Sequence, residues 1–500
     1  MDDSLVDLVD DFVEIQTLIT SASQILENHH ARLESIQESF YPDTYTCLID
    51  QTISLKKRYA AVSADVASVR AKQNSWTPEN MQELIVMKKK FADLVRVLQS
   101  SLASVQVAAN WQSPSFAHTT LPQAGMRTGN VEANTNDYLR DYNLDEEGYV
   151  RKFVQEYVDH PLRLPPRAYL TSSAMAGLTT ILTHLRSNMS STDVVLVGKT
   201  SYFQNKLVAE YMFPGQIQYV VEFDTDNLVA LAKHLQPRII LLDTLCGTDS
   251  LDMLNLSELL PKLSGVVSRR STLVLDNTSL ATMCQPLQYL PMNPLGMQLA
   301  VVASLSKYYE CGLDRVNGGI VWTPVGSLIE FGQSRMHLGT NMPDASLCAL
   351  PVPNRNVFDK RMLRIGRNAR MLAERLQEIV VKTQGPVEGI VYPGLPSHTS
   401  YTWAHELSFV GGVLVFEFKP KYKKASYCQF FAQRIMEEAK KQNVDIICGT
   451  GFGFNTTRLY YTTRHANATM KPFVRLSLGT ETLFEIERIA LVFSAVLKNL

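Results

Sequence analysis

Two apolar runs that each lead to an ionisable side chain constrain this chain more than any other feature. The run 273–275 ends at Asp276, and the run 299–303 is followed after a few residues by Lys307. Their separation fits a strand, a crossover connection and a second parallel strand, which would bring both strand ends to one edge of a sheet. Ligands bind at that edge in open α/β folds. The pattern predicts an α/β fold in which an acid and an amine share one site.

The pair formed by Asp276 and Lys307 has the chemistry that pyridoxal phosphate (PLP) requires. A lysine amine holds the aldehyde of PLP as a Schiff base. A carboxylate keeps the pyridine nitrogen protonated, so that the ring can accept electrons. A single lysine after a strand is more often a solvated loop residue. The prediction of a PLP site therefore depends on further motifs.

Several separated motifs occur in the order in which one family of PLP enzymes carries them. They are Asp276-Asn277-Thr278, Gln285-Pro286-Leu287, Ser304-x-Ser306-Lys307-Tyr308, Asn317-Gly318-Gly319, Tyr392-Pro393-Gly394-Leu395-Pro396-Ser397-His398 and Arg475-Leu476-Ser477-Leu478-Gly479-x-Glu481. With these motifs the chain resembles the family of cysteine and methionine metabolism that includes cystathionine γ-synthase, the cystathionine lyases and methionine γ-lyase. The resemblance covers roughly residues 130–500.

The resemblance implies the fold of aspartate aminotransferase, called PLP fold type I. We expect a large α/β domain with a mostly parallel sheet at residues 161–345 and a smaller C-terminal α+β domain at 346–500. From about residue 160 the sequence itself alternates strand and helix patterns, which is typical of an α/β sandwich. Residues 1–110 have apolar positions at helical spacing and predict an N-terminal extension of three or four helices. Residues 111–160 are expected to form a linker and an inter-subunit arm.

The resemblance also implies a role for each matching residue. Lys307 would bind the cofactor covalently and then move the α-proton of the substrate as general base and acid. Asp276 would pair with the pyridine nitrogen of PLP. Tyr202 matches the tyrosine that stacks on the cofactor ring and takes part in catalysis, since stacked aromatics hold a planar ligand at low entropic cost.

The phosphate of PLP is expected at the start of a helix. Ser173-Ala174-Met175 begins a helical pattern, and a helix N-terminus offers free backbone amides to an anion. Ser304 and Ser306 would add hydroxyl donors, or would only cap local backbone groups.

Two further sets of residues complete the implied site. Tyr138 and Arg140 resemble the pair that the family sends across a dimer interface to the phosphate of the neighbouring subunit. We therefore expect a homo-oligomer, at least a dimer, with a tetramer favoured. Arg475 offers the planar fork that binds a substrate carboxylate, and Thr450 is a second candidate for substrate binding.

The chain departs from the family pattern in three segments. After Tyr202 it has Phe203-Gln204-Asn205 where the family usually has small residues, so the lining of the pocket is expected to differ. Residues 242–247 stand where the family has a glutamate followed by an asparagine-proline stretch, so one cofactor contact differs. The glycine-rich loop, residues 449–458, carries Phe452, Phe454 and Arg458 where the family has another substrate loop. This loop either accepts a larger or anionic substrate or lies on the surface without contacting ligand.

Composition excludes several other classes of protein. The formal net charge of −1 gives no reason to expect nucleic acid or a membrane surface as a partner. The seven cysteines lack Cys-x-x-Cys spacing, which predicts reduced thiols, no metal site and a cytosolic setting. No apolar run is long enough for a membrane span, and the acidic start is unlike a secretion signal. We therefore predict a cytoplasmic protein.

These observations favour an enzyme acting on an amino acid that carries a leaving group on its γ-carbon, by γ-replacement or γ-elimination. Activated homoserines, cystathionine, methionine and S-adenosylmethionine have such a group, and a specialised biosynthetic role would suit the altered loops. A β-eliminating carbon–sulfur lyase or an aminotransferase would use the same cofactor motifs. A non-catalytic scaffold is a third possibility, which the retention of Asp276 and Lys307 disfavours. The extension could pack on its own domain, add oligomer contacts or bind a partner.

Overall fold

The N-terminal extension consists of three long helices. The computed structural model describes residues 3–109, 146–290, 296–461 and 472–500. The three helices are α1 (Asp3–Ser35), α2 (Pro42–Ala71) and α3 (Met81–Ala108). Apolar residues at helical spacing on α1 are buried in a core of their own with the other two helices. In that core the ring of Phe12 lies 5.4 Å from Trp76 and 6.2 Å from Phe91, centroid to centroid.

The larger of two sheets has seven strands in the order β1-β7-β6-β5-β4-β2-β3. All neighbours run parallel except β7, which is antiparallel to both β1 and β6. The strands are β1 (Arg167–Thr171), β2 (Val195–Gly198), β3 (Ile217–Val220), β4 (Ile239–Asp243), β5 (Thr272–Asp276), β6 (Gln298–Ser304) and β7 (Gly319–Thr323).

Helices cover both faces of this sheet, which explains why consecutive interior positions of its central strands are apolar. On β4, Ile239 and Leu241 belong to one core, and Ile240 and Leu242 belong to the core on the opposite face. The helices of this part are α4 (Glu146–Tyr157), α5 (Ala174–Arg186), α6 (Phe203–Met212), α7 (Thr225–Leu235), α8 (Leu256–Val266), α9 (Phe331–His337) and α10 (Asp344–Ala349).

The smaller sheet has five strands in the order β10-β11-β12-β9-β8. These are β8 (Val387–Val391), β9 (Val413–Phe418), β10 (Ile447–Cys448), β11 (Arg458–Tyr461) and β12 (Val474–Ser477). They are accompanied by the helices α11 (Arg355–Thr383), α12 (Tyr401–Ala404), α13 (Ala425–Lys441) and α14 (Leu483–Leu497). The aromatic rings of Phe416 and Phe493 stack between this sheet and α14, 5.4 Å apart.

The structure confirms the predicted fold class, with a large mostly parallel sheet, a smaller sheet and a helical N-terminal extension. The boundaries proposed for the domains stay predictions. Within the predicted linker and arm, residues 146–157 form α4, which the composition of the segment did not indicate. This helix buries Phe153 and Tyr157 against Tyr309 and Trp322.

Tyr138 and Arg140 lie outside the described residues. None of the described helices combines the length and the apolar character needed to cross a membrane.

We expect Phe12→Ala to destabilise the N-terminal extension by about 3–5 kcal/mol, because it empties a fully buried ring position. Urea denaturation followed by circular dichroism measures this loss. Val86→Ala serves as the control, since Val86 on α3 is 58% exposed and its truncation should change the free energy of unfolding by less than about 0.5 kcal/mol. Equal effects of the two substitutions would contradict the packing described for the extension.

Candidate active site

The candidate site lies where the parallel strands of the large sheet end. Asp243 at the end of β4 is the register partner of Asp276 at the end of β5, and Asp276 is in turn opposite Val302 of β6. Lys307 lies three residues after the end of β6, just before a short 3-10 turn. The acid and the amine therefore follow neighbouring parallel strands at the same edge of the sheet.

Asp276 is oriented by two donors. The side-chain amide of Asn205 donates to one carboxylate oxygen at 2.9 Å, and the backbone N–H of Thr278 donates to the other at 3.0 Å. Asn205 lies in the first turn of α6, three residues after Tyr202. The carboxylate is thus held at the sheet edge in a defined orientation.

Asp243 forms the second half of a pair of acids. It accepts the backbone N–H of Tyr202 at 2.6 Å and the side-chain amide of Asn205 at 3.2 Å. Burial, and then the neighbouring charge of Asp276, raise the pKa of Asp243 well above its ordinary value. Because a buried carboxyl group next to another acid resists ionisation, the protonated form of Asp243 is favoured relative to an ordinary aspartate.

Lys307 has no hydrogen-bond or ion-pair partner for its amine among the described residues. Its Nζ lies 5.9 Å from the ring centroid of Phe452, which belongs to the glycine-rich loop. Burial lowers the pKa of Lys307 most, and the charges of Arg475 and Arg458 act in the same direction against Glu310 and Asp314. A buried amine with a lowered pKa is a better nucleophile and base than an ordinary lysine.

The predicted phosphate site is assembled by three adjacent strands. Ser304 of β6 is opposite Gly319 of β7, which is opposite Thr171 at the end of β1. A Cβ on Gly319 would lie 2.4 Å from the backbone N of Ala174, so only glycine lets the start of α5 sit this close to the sheet.

The residues predicted for the phosphate come together at this point. Ser173 is the N-cap of α5, and its hydroxyl accepts the N–H of Ala176 at 3.0 Å. The hydroxyls of Ser304 and Ser306 lie 2.9 Å apart. Met175 follows in the first turn of α5. A helix N-terminus with two neighbouring hydroxyls suits a phosphate group.

Arg475 covers the site from the smaller sheet. It lies on β12 opposite Tyr460 of β11, with its Cζ 5.4 Å from the Tyr460 ring centroid. Its Nε is buried without a hydrogen-bond partner, and no carboxylate of the described residues forms an ion pair with it. Burial lowers the pKa of Arg475. A guanidinium near Lys307 that has no acidic partner among the described residues fits a site for a carboxylate that arrives with a ligand.

The glycine-rich loop brings a second guanidinium to the same face of β11. Arg458 lies two residues before Tyr460, so both side chains point to the face that carries Arg475. The Arg458 Cζ lies 3.3 Å from the ring centroid of Phe454, and its Nη1 donates to the backbone oxygen of Thr450 at 2.9 Å. Thr450 is exposed, and within the described ranges its backbone oxygen is the atom that forms a hydrogen bond.

Tyr202 stands beside the two acids, in the turn after β2. Its hydroxyl donates to Gln204 at 2.9 Å, and 38% of the residue is exposed. A Cβ on Gly247 would lie 3.8 Å from the Tyr202 ring, which places the departing segment 242–247 next to this tyrosine. The ring is therefore accessible at the sheet edge, and its stacking role stays a prediction.

Sequence reasoning missed Asp243 and Asn205. Asp243 ends an apolar run in the same way as Asp276, which could have revealed it. Its segment was interpreted only as a departure from a family motif. Asn205 has a weaker signal, its position one helical turn after Tyr202.

Comparison with known proteins identifies the family. Residues 96–488 match the family described as Cys/Met metabolism PLP-dependent enzyme. The chain belongs to this family. Membership implies pyridoxal 5′-phosphate as the cofactor, and the site fits it, since an unpartnered lysine, an oriented carboxylate and a glycine-backed helix N-terminus meet at one sheet edge.

Two curated relatives of this family member match part of its length. The bifunctional enzyme flvA of Aspergillus flavus is 25% identical over 340 residues, which are 67% of this chain and 39% of the relative. L-methionine gamma-lyase of Pseudomonas putida is 36% identical over 154 residues, 30% of this chain and 35% of the relative. The chain thus spans less than half of each of these relatives.

Solved structures of the family share the fold, PLP fold type I. Cystathionine gamma synthase of Xanthomonas oryzae pv. oryzae, in complex with cystathionine, has a TM-score of 0.58 at 17% identity, over 78% of this chain and 92% of its own. Cystathionine gamma-lyase of Lactobacillus plantarum, complexed with L-serine, has a TM-score of 0.58 at 18% identity, over 80% of this chain and 99% of its own.

We expect Arg475→Met to raise the stability of the protein while weakening its binding of amino acids. Replacing a guanidinium whose buried Nε has no hydrogen-bond partner among the described residues removes a desolvation cost of about 1–3 kcal/mol, and it also removes the fork that we expect to receive a carboxylate. Urea denaturation and spectral titration with L-amino acids measure the two effects. The control is Arg375→Met, because among the described residues Arg375 pairs with Glu378 alone, at the surface. Destabilisation by Arg475→Met would mean that the guanidinium has a structural task.

Proposed function

We propose that this family member catalyses γ-replacement or γ-elimination on an amino acid with a leaving group at its γ-carbon. The observation that carries the proposal is the amine of Lys307, which has no hydrogen-bond or ion-pair partner among the described residues and follows the strand next to the one that ends at Asp276, with the guanidinium of Arg475 near enough to affect its pKa. When bound, PLP supplies an electron-accepting ring that makes the α-proton of an amino acid acidic. The residues of the chain then decide which bond breaks.

The proposed roles follow the contacts of each residue. Lys307 holds the cofactor and moves the proton at the α-carbon, a task that its lowered pKa assists. Asp276 pairs with the pyridine nitrogen of PLP, and Tyr202 packs on the cofactor ring. The start of α5, at Ser173-Ala174-Met175, receives the phosphate together with Ser304 and Ser306. Arg475 and the loop around Thr450 position the substrate.

The assembly is also part of the proposal. Tyr138 and Arg140, which lie outside the described residues, would reach the phosphate in a neighbouring subunit. A homodimer is then the smallest active unit, and a tetramer is its closed-symmetry extension. Amino acid substrates would enter between the glycine-rich loop and the large sheet.

The preference for γ-chemistry has support from the relatives. Three of the similar proteins bear names that contain γ-synthase or γ-lyase, and one of them is methionine γ-lyase. Activated homoserines, cystathionine, methionine and S-adenosylmethionine are the candidate substrates. A β-eliminating lyase or an aminotransferase would place the same residues around PLP, and the products distinguish them.

The test is incubation of the purified protein with γ-substituted amino acids. We expect loss of the γ-substituent, with 2-oxobutyrate and ammonia formed when water completes the reaction, or a γ-substituted amino acid when another nucleophile does. Lys307→Ala should lower the rate at least about 100-fold, since it removes the group that moves the proton. The visible band of the lysine-bound cofactor should disappear in the same variant.

Other outcomes assign the alternatives. Pyruvate as the product would favour β-elimination, and one equivalent of a keto acid with pyridoxamine phosphate would favour transamination. Exchange of only the α-proton with every amino acid tested would reject the proposed γ-chemistry. If the protein binds no PLP, the non-catalytic scaffold is the hypothesis that remains.

A second prediction concerns the charge of the γ-substituent. Arg458 and Arg475 lie on one sheet face near Lys307, so an anionic substituent should bind better than the cationic sulfonium of S-adenosylmethionine. We expect Arg458→Gln to raise KM about tenfold for succinyl- or phosphohomoserine, the loss of about 1.4 kcal/mol of binding. KM for uncharged methionine should stay unchanged. An equal change for both substrates would assign Arg458 to the support of its loop.

A further inference from the structure

The N-terminal extension contacts the rest of the protein through a ladder of opposite charges. Acidic residues recur at helical spacing along one face of α1, and basic residues do the same along α11. The two helices run antiparallel, so that residue numbers rise on one while they fall on the other. The ion pairs are Asp7 with Arg367 at 2.8 Å, Asp10 with Lys360 at 2.9 Å, Asp11 with Arg364, and Glu14 with Arg361 at 2.9 Å.

Arg361 differs from the other basic residues of the ladder, because it also contacts the glycine-rich loop. Its Nη1 donates to Glu14, while its Nη2 donates to the backbone oxygen of Gly453 at 3.0 Å and to the side-chain oxygen of Asn455 at 2.6 Å. The side chain of Arg361 is 1% exposed. One guanidinium thus joins the extension to the loop that covers the active site.

The contact continues from Gly453 to the lysine itself. Gly453 has a φ of +87°, and a Cβ placed on it would lie 2.7 Å from the carbonyl carbon of Lys307. After the turn that follows Lys307, a Cβ on Gly312 would lie 2.7 Å from Nη2 of Arg361 and 2.4 Å from the side-chain oxygen of Asn455. The backbone before this turn therefore packs on Gly453, and the backbone after it packs on Arg361 and Asn455. Displacement of the guanidinium must change the space available to that turn.

We propose that Arg361 is a positioning residue for Lys307 and that Glu14 of the N-terminal extension holds it in place. The extension is then part of the catalytic apparatus, although it contributes no group that touches the cofactor or the substrate. Arg361 forms a planar fork, which can satisfy a carboxylate and two loop acceptors at once. Lysine keeps the charge but loses the fork, so it should not replace arginine here. The proposal rests on the assignment of Lys307 as the cofactor lysine.

The test compares three single variants of the full chain. They are Glu14→Gln, Arg361→Lys and, as the matched control, Asp10→Asn. Asp10 lies on the same face of α1 and loses the same charge, but no hydrogen bond joins its partners Lys360, which is 50% exposed, and Arg364, at 3.8 Å, to the described glycine-rich loop. Two readouts are needed. The first is the affinity of the apo-protein for PLP, followed by the visible band of the lysine-bound cofactor. The second is the rate of α-proton exchange of bound L-methionine in deuterated water.

We expect Glu14→Gln and Arg361→Lys to slow α-proton exchange at saturating methionine by about 10- to 100-fold, the effect of a misplaced catalytic group. The half-saturating concentration of methionine should change little, because Arg475 is untouched. The affinity for PLP should fall in both variants, and Asp10→Asn should behave as the wild type. If Arg361→Lys does not fold, Glu14→Gln decides the question.

A folded Glu14→Gln protein with the PLP affinity and exchange rate of Asp10→Asn would overturn the proposal. Equal losses in all three variants would also overturn it, since they would show a general effect of charge on the extension. Failure of the proposed function is distinguishable, because it would appear as a wild type that binds no PLP or exchanges no proton. A wild type that exchanges the proton without γ-chemistry leaves this test intact.

Discussion

The register of β4, β5 and β6 is the constraint on which the active site depends. These strands are buried on both faces, so ionisable side chains are excluded from them and can follow only at their ends. Because the strands are parallel and in register, the ends coincide at one edge. Asp243, Asp276 and Lys307 meet there as a result of the same rule that makes the strands apolar.

The site carries charge that the described residues do not neutralise. The amine of Lys307 and the guanidinium of Arg475 are partly buried without acidic partners among those residues, whereas the two acids share a donor in Asn205. Buried charges without partners are costly to a fold. Such groups are expected where a ligand supplies the missing charge, and both a cofactor phosphate and a substrate carboxylate would do so. Stability is then lowest in the unliganded protein and increases with binding.

The sequence predicted the parts of this site that depend on local pattern. Asp276 and Lys307 were found because apolar runs end at them, and Ser173 because it begins a helix. Asp243 was not predicted although it also ends an apolar run, because its segment was interpreted only as a departure from a family motif. Asn205 and the ion pairs between α1 and α11 could not be predicted, because they join segments whose approach only the folded backbone determines. Roles for Tyr138 and Arg140 stay predictions.

The ladder between α1 and α11 also has a consequence for synthesis. Asp10 and Lys360 are 350 positions apart in the chain, so the acidic face of the first helix emerges from the ribosome long before its basic partner. Residues 3–109 have an apolar core that is almost entirely their own, which lets the three helices associate early. The acidic face of α1 is then exposed to water, where its charges are well solvated and oppose aggregation. Docking of this face on α11 is a late event in folding, so the turn that follows Lys307 acquires the support of Arg361 only after residues 355–383 and the glycine-rich loop have been made.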